Sequence, residues 1–272
     1  MNRFDCIKSS EKPLFIPFLM AGDPTEKDTI DLALILQEEG ADVLEIGIPY
    51  SDPLADGPVI QEASKRAFTS GMNLEKAIQM IGKMREEGLH IPVVLFTYYN
   101  LLLQLGQQHV VDLMNRYSVD GMLVPDLPFE ESESIRNLCK AHHISYIPLI
   151  APTTSQERLV KIAQSAEGFL YCVSSLGVTG ERSVFHPEIQ RMVKEASMHS
   201  DVPVALGFGV SSPEQFNEIS KLCDGVIIGS SLIRKADELR AGSSKAETQD
   251  WKESFRNFVR SLLLEGVQKV SN

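Results

Sequence analysis

Basic residues are the minority charge in this chain: 26 Lys and Arg stand against 37 Asp and Glu, a formal net charge of −11. No polybasic run offsets the excess, so neither a nucleic-acid backbone nor an anionic membrane surface is an expected partner. Cysteine is scarce as well. Cys6, Cys139, Cys172 and Cys223 are scattered without a CxxC pair, which argues against a disulfide or metal framework and points to a reducing cytoplasm. No apolar run approaches the length of a membrane span, and Met1-Asn2-Arg3-Phe4-Asp5-Cys6-Ile7 lacks the apolar core of a signal peptide. What is present is ordinary for a soluble globular protein: 43% hydrophobic and 23% charged residues. The 272 residues suffice for one α/β barrel or two smaller domains.

Short apolar runs alternate with longer polar stretches of helical period. The pattern predicts strands near 14–20, 41–48, 91–97, 119–124, 144–150, 168–173, 202–206 and 225–229. Ser212-Pro213-Glu214-Gln215 and Thr154-Ser155-Gln156-Glu157 read as helix-opening capping signals, and a polar helix over roughly 246–265 closes the chain. Every second strand follows an acid: Asp42, Asp120, Glu167 and Asp224. Three of the others open apolar-Pro or apolar-Ser, so the βαβα unit recurs four times. With no linker or composition break, this favours a closed (β/α)8 barrel over an open doubly wound sheet, the whole chain 1–272 forming one domain with an extra N-terminal helical segment.

In such a barrel function belongs to the loops after the strands. His90, His142, His143 and His199 precede strands and fall on the opposite face; His109 lies in a helix; His186 alone is too little for a metal site. No strand contains a lysine, which removes the nucleophile of a Schiff-base mechanism. Proton transfer by carboxylates remains. Glu45 stands inside an apolar strand run, where an ionised acid is costly to desolvate and survives by a raised pKa or a paired cation. No basic residue stands at the neighbouring strand ends. Asp56 closes the turn Ser51-Asp52-Pro53-Leu54-Ala55-Asp56-Gly57-Pro58, where an Asp also commonly caps a helix. Asp23 and Asp52, each before proline, fit that structural role better. Glycines gather after the last three strands: Gly177 to Gly180, Gly207 with Gly209, and Gly229 before Ser230-Ser231. Backbone N–H groups there, with a helix N-terminus, can hold a phosphate without a cation.

Leu44-Glu45-Ile46-Gly47-Ile48-Pro49-Tyr50-Ser51-Asp52-Pro53-Leu54-Ala55-Asp56-Gly57-Pro58 closely resembles the signature of the tryptophan synthase alpha chain family. Pro17-Phe18, Ala21-Gly22-Asp23-Pro24, Thr97-Tyr98-Tyr99-Asn100, Pro125-Asp126-Leu127-Pro128, Ala151-Pro152-Thr153-Thr154, Gly177-Val178-Thr179-Gly180 and Gly207-Phe208-Gly209 match in family order over almost the whole chain. The resemblance implies a (β/α)8 barrel that cleaves indole-3-glycerol phosphate by a retro-aldol step to indole and glyceraldehyde 3-phosphate. Glu45 would be the acid/base, Asp56 would hold the indole N–H, and Tyr171 would flank the reacting centre. Phe18, Ile60, Leu123 and Ile150 would line the indole pocket. Thr179 would sit on a closing loop, and Gly180, Gly207, Phe208, Gly209, Gly229 and Ser230 would hold the phosphate. The resemblance further implies an alpha2beta2 complex with a beta chain, which alone would carry pyridoxal phosphate; this chain would need no cofactor and no metal. Asn100-Leu101, Met20 and Ser175-Leu176 depart from the commoner family pattern. Two competitors stay open, a non-catalytic regulator of a beta partner and another phosphate-binding barrel.

Overall fold

A computed structural model of the protein describes residues 3–7, 12–173, 187–207, 209–242 and 248–267. Its strands are β1 (Leu14–Met20), β2 (Leu44–Gly47), β3 (Val93–Phe96), β4 (Gly121–Leu123), β5 (Ser145–Tyr146), β6 (Leu149–Ile150), β7 (Leu170–Val173), β8 (Val204–Gly207) and β9 (Gly225–Ile228). All the pairings among them are parallel, in the order β5-β4-β3-β2-β1-β9-β8-β7-β6. The two ends of that order are halves of one stretch, 145–150. Ile147 N–H donates to Met122 O at 2.8 Å on one side, and Tyr171 N–H donates to Pro148 O at 3.0 Å on the other. The sheet therefore closes on itself, and eight expected strands become nine only because 144–150 is interrupted at Ile147-Pro148.

Helices fill the connections: α1 (Glu26–Glu38), α2 (Pro58–Thr69), α3 (Leu74–Glu86), α4 (Tyr99–Leu105), α5 (Gln107–Arg116), α6 (Glu133–Ala141), α7 (Gln156–Gln164), α8 (Pro187–His199), α9 (Pro213–Ser220), α10 (Ser230–Ala241) and α11 (Thr248–Val267). Strands covered on both faces bury every residue, as β1, β2 and β9 do, which explains why they are apolar apart from Glu45 in β2. Leu14, Ile16, Val43, Val94, Leu123, Ile147, Phe169, Ala205 and Ile227 form the inner cluster. Phe4, in a 3-10 helix over Arg3–Cys6, joins it from the N-terminal end, 6.4 Å from Phe169 between ring centroids. That turn is the extra N-terminal helical segment.

The acids that begin alternate strands have a physical reason. Asp42 Oδ2 accepts from Phe15 N–H at 2.8 Å, Asp120 Oδ2 from Val93 N–H at 2.8 Å, and Asp224 Oδ2 from Val204 N–H at 2.9 Å. Each satisfies a strand-end donor of its neighbour, so these carboxylates belong to the stability face. Ser212 caps α9 as expected, accepting from Gln215 N–H. The capping box at Thr154 is not formed: Ser155 is the N-cap of α7 without a side-chain bond, and Thr154 Oγ1 accepts from Ala151 N–H at 3.0 Å instead. The competing turn bond captures the hydroxyl.

Candidate functional site

Strand alternation aims the site. Val43 faces the barrel interior, so Glu45, two residues on, faces it as well and lies nearer the C-terminal mouth. Phe18 follows Leu14 and Ile16 inward by the same parity, and Tyr171 follows Phe169. Glu45 is 1% exposed. Among the described residues four buried side-chain polar atoms lack a hydrogen-bond partner, and two of them are the carboxylate oxygens of Glu45. Burial alone pushes its pKa up to about 8, so the group is a neutral acid at neutral pH that can still exchange its proton.

Asp56 lies in the turn between β2 and α2. It does not cap α2: Gly57 is the N-cap, without a side-chain bond. Burial pushes the Asp56 pKa up to about 6, against a hydrogen bond from Tyr98 that favours the charged form. Burial, then the Glu45 and Asp56 carboxylates, hold the Tyr171 phenol well above its usual range. Tyr171 therefore stands within electrostatic reach of both acids, and the three expected chemical groups converge on one end of the barrel.

Glycine makes room for the rings. A Cβ on Gly47 would sit 2.2 Å from Phe18 Cζ, and one on Gly207 would sit 2.6 Å from Tyr171 Oη. Phe18 is also held edge-on by Phe96 at 5.6 Å. Gly47→Ala must therefore displace a boxed ring, and we expect it to destabilise the fold by about 1–3 kcal/mol, read from urea unfolding. An unchanged midpoint would mean that the ring swings away freely.

Phe18 and Leu123 face the interior as expected, and Ile60 packs in the first turn of α2 just after Asp56. Ile150 does not. The register pairs Leu149 with Tyr171 and Ile150 with Cys172, so Leu149 shares the inner face with the phenol and Ile150 points outward. Its neighbour takes the place expected for it, because a one-residue step reverses the side-chain face. Phe96 and Tyr98 complete the mouth. Neither was a candidate from sequence, since aromatic residues at a strand end carry no signal that separates site from core.

On the opposite side of the mouth, Gly207 ends β8 and Gly229 is the N-cap of α10, which no side chain caps. A Cβ on Gly209 would meet nothing within 4 Å, so protein packing does not require that glycine. Ser231 Oγ–H donates to Val210 O, drawing the Gly209 loop against the start of α10 beside Ser230. Thr179, Gly180, Phe208 and His186 lie outside the described residues. Among the described residues no group of three or more His, Cys, Asp or Glu could hold a metal ion.

The sequence model of the family described as "Tryptophan synthase alpha chain" matches residues 4–262. The tryptophan synthase alpha chain of Bacillus pumilus is 52% identical over 257 residues, covering 94% of this chain and 96% of that protein. Among solved structures, tryptophan synthase subunit alpha from Legionella pneumophila superposes with a TM-score of 0.86 at 32% identity, covering 98% of this chain and 99% of that one. A chain of tryptophan synthase from M. tuberculosis in its aminoacrylate-bound form gives 0.81 at 26% identity, covering 96% of each chain.

Proposed function

This chain belongs to the tryptophan synthase alpha chain family, and from that premise we propose how its residues divide the work. The protein is a carbon–carbon lyase of tryptophan biosynthesis that cleaves indole-3-glycerol phosphate to indole and glyceraldehyde 3-phosphate. It works with a beta chain. We take the assembly to be alpha2beta2 and cytoplasmic, with this chain, 1–272, acting as one domain and pyridoxal phosphate confined to the beta partner.

The observation that carries the residue assignment is Glu45: buried, inward-facing and without a hydrogen-bond partner for either oxygen. Its proton goes to indole C3, which turns the ring into an iminium-like electron sink. The same carboxylate, now charged, takes the proton of the glycerol hydroxyl attached beside the ring. The carbon–carbon bond breaks, its electron pair returns to the ring as indole, and the hydroxyl carbon leaves as the aldehyde. Glu45 ends protonated, as it began. Asp56, ionised, accepts the indole N–H and stabilises the positive charge of the protonated ring in a dry pocket. Tyr171, Phe18, Leu123, Leu149 and Ile60 enclose the ring. The Gly207 and Gly209 loop and the start of α10 at Gly229 and Ser230 receive the phosphate; Thr179, Gly180 and Phe208 complete that end.

These assignments predict a bell-shaped dependence of kcat/KM on pH. Activity rises as Asp56 ionises at about 6 and falls as Glu45 loses its proton at about 8. The substrate phosphate titrates near the lower value as well. Asp56→Asn separates the two, because the residual rate should lose the Asp56 component of the acid limb. Indole release, followed with and without the beta chain, measures the profile. A flat profile between pH 5 and 9 would contradict both carboxylate roles.

A further inference from the structure

Tyr98 is the N-cap of α4 and is 1% exposed. Its hydroxyl meets the Asp56 turn. Ala55 N–H donates to it at 3.1 Å, and the same hydroxyl favours the charged form of the adjoining Asp56. The ring is held from behind, stacked on Tyr50 at 4.8 Å and 26° and edge-on to Phe96 at 6.5 Å. Tyr50 is itself anchored to α2: its N–H donates to Ser64 Oγ at 3.1 Å, and that hydroxyl donates to Tyr50 O at 3.2 Å. By contrast the turn carrying Asp56 is open to solvent, with Leu54 83% exposed. A carboxylate on so open a turn needs a fixed tether to keep one orientation.

We propose that Tyr98 is a positioning residue that fixes the Asp56 carboxylate to receive the substrate ring N–H. The inference rests on the reading of Asp56 given above. The groups facing this pair are few. Asp126 acts on Tyr98 through charge, Glu45 and Asp56 act on Tyr171, and Tyr50 supplies the stacked face.

The test is the pH profile of indole-3-glycerol phosphate cleavage by the complete alpha–beta complex. Tyr98→Phe keeps the stacked ring and removes the hydroxyl that holds Ala55 N–H and favours ionised Asp56. The acid limb of kcat/KM should move up by about one pH unit while the base limb, set by Glu45, stays. Near pH 6 the variant should fall roughly five- to tenfold below the unsubstituted complex and approach it toward pH 8. Installing 3-fluorotyrosine at position 98, a stronger donor, should move the acid limb down and does not depend on Tyr98→Phe folding well. Unmoved limbs, whether with full activity or with a uniform loss, overturn the role of Tyr98. Asp56→Asn run in parallel keeps the two claims apart. Its full activity would sink the Asp56 reading itself, whereas its inactivity beside unmoved limbs in both Tyr98 variants would sink only the tether.

Discussion

Glu45→Gln is expected to lower turnover by about 10³-fold or more, while the affinity for glyceraldehyde 3-phosphate stays within roughly twofold. The amide keeps the volume and the buried surroundings but neither gives nor takes the proton. The proposed phosphate end of the barrel, at Gly207, Gly209 and Gly229-Ser230, is built from other strands and is left intact. Single-turnover indole release and calorimetric titration with the product read the two effects. Unchanged turnover would remove Glu45 from the mechanism.

The same substitution should stabilise the protein in a pH-dependent way. In the folded chain Glu45 holds its proton to about 8, against 4.5 for the unperturbed group. Below 4.5 both folded and unfolded chains are protonated and nothing is lost. Between 4.5 and 8 only the unfolded chain ionises, so stability falls as pH rises through that window. At pH 7 the difference is on the order of 3 kcal/mol. Glu45→Gln lacks this liability. Its melting temperature should match that of the unsubstituted protein near pH 4.5 and exceed it increasingly toward pH 8. Parallel curves would show that the carboxyl is not desolvated as the structure has it.

A second large effect is expected away from the chemistry. Asp23, buried after β1, accepts from Arg66 of α2 through both oxygens, at 2.7 and 2.8 Å. Arg240 of α10 donates to the Asp23 carbonyl at 3.1 Å, and Arg66 also reaches Asp237 of α10 at 3.3 Å. One aspartate thus joins the loop after β1, the helix behind the Asp56 turn and the helix whose start is proposed to receive the phosphate. Arg66→Met leaves a buried carboxylate without its partner and should destabilise by about 3 kcal/mol, a fall of roughly 6–12 °C in Tm. Adding Asp23→Asn should recover much of the loss, because the uncompensated charge disappears. A double variant no better than the single would place the effect in packing rather than in charge.

Asp23 also shows where local reading stops. An Asp before proline suggests a turn cap, and within the loop nothing points to Arg66, 43 residues away. Tyr98 stands out in the sequence only as part of a matching motif, because its partner Ala55, in the Asp56 turn, lies on a different βα loop. Ile150 and Leu149 are equally apolar, so composition could not choose between them; the pairing of Leu149 with Tyr171 does. The capping box at Thr154 failed for a similar reason, since Ala151 N–H competes for the same hydroxyl.

Glu45 was legible because an acid in an apolar strand contradicts the local pattern, and such contradictions cluster at functional sites. The alternation of strand and helix, the acids that begin alternate strands and the glycines after the last two were legible too, since period and spacing are one-dimensional properties. Sequence alone therefore determined the architecture and the presence of one misplaced carboxylate. Only the tertiary structure decided which face each side chain takes, that neither oxygen of Glu45 finds a hydrogen-bond partner, and which distant residue meets the Asp56 turn at Ala55. Those depend on strand register and on closure at Ile147-Pro148, where residues far apart in the chain first share a neighbourhood.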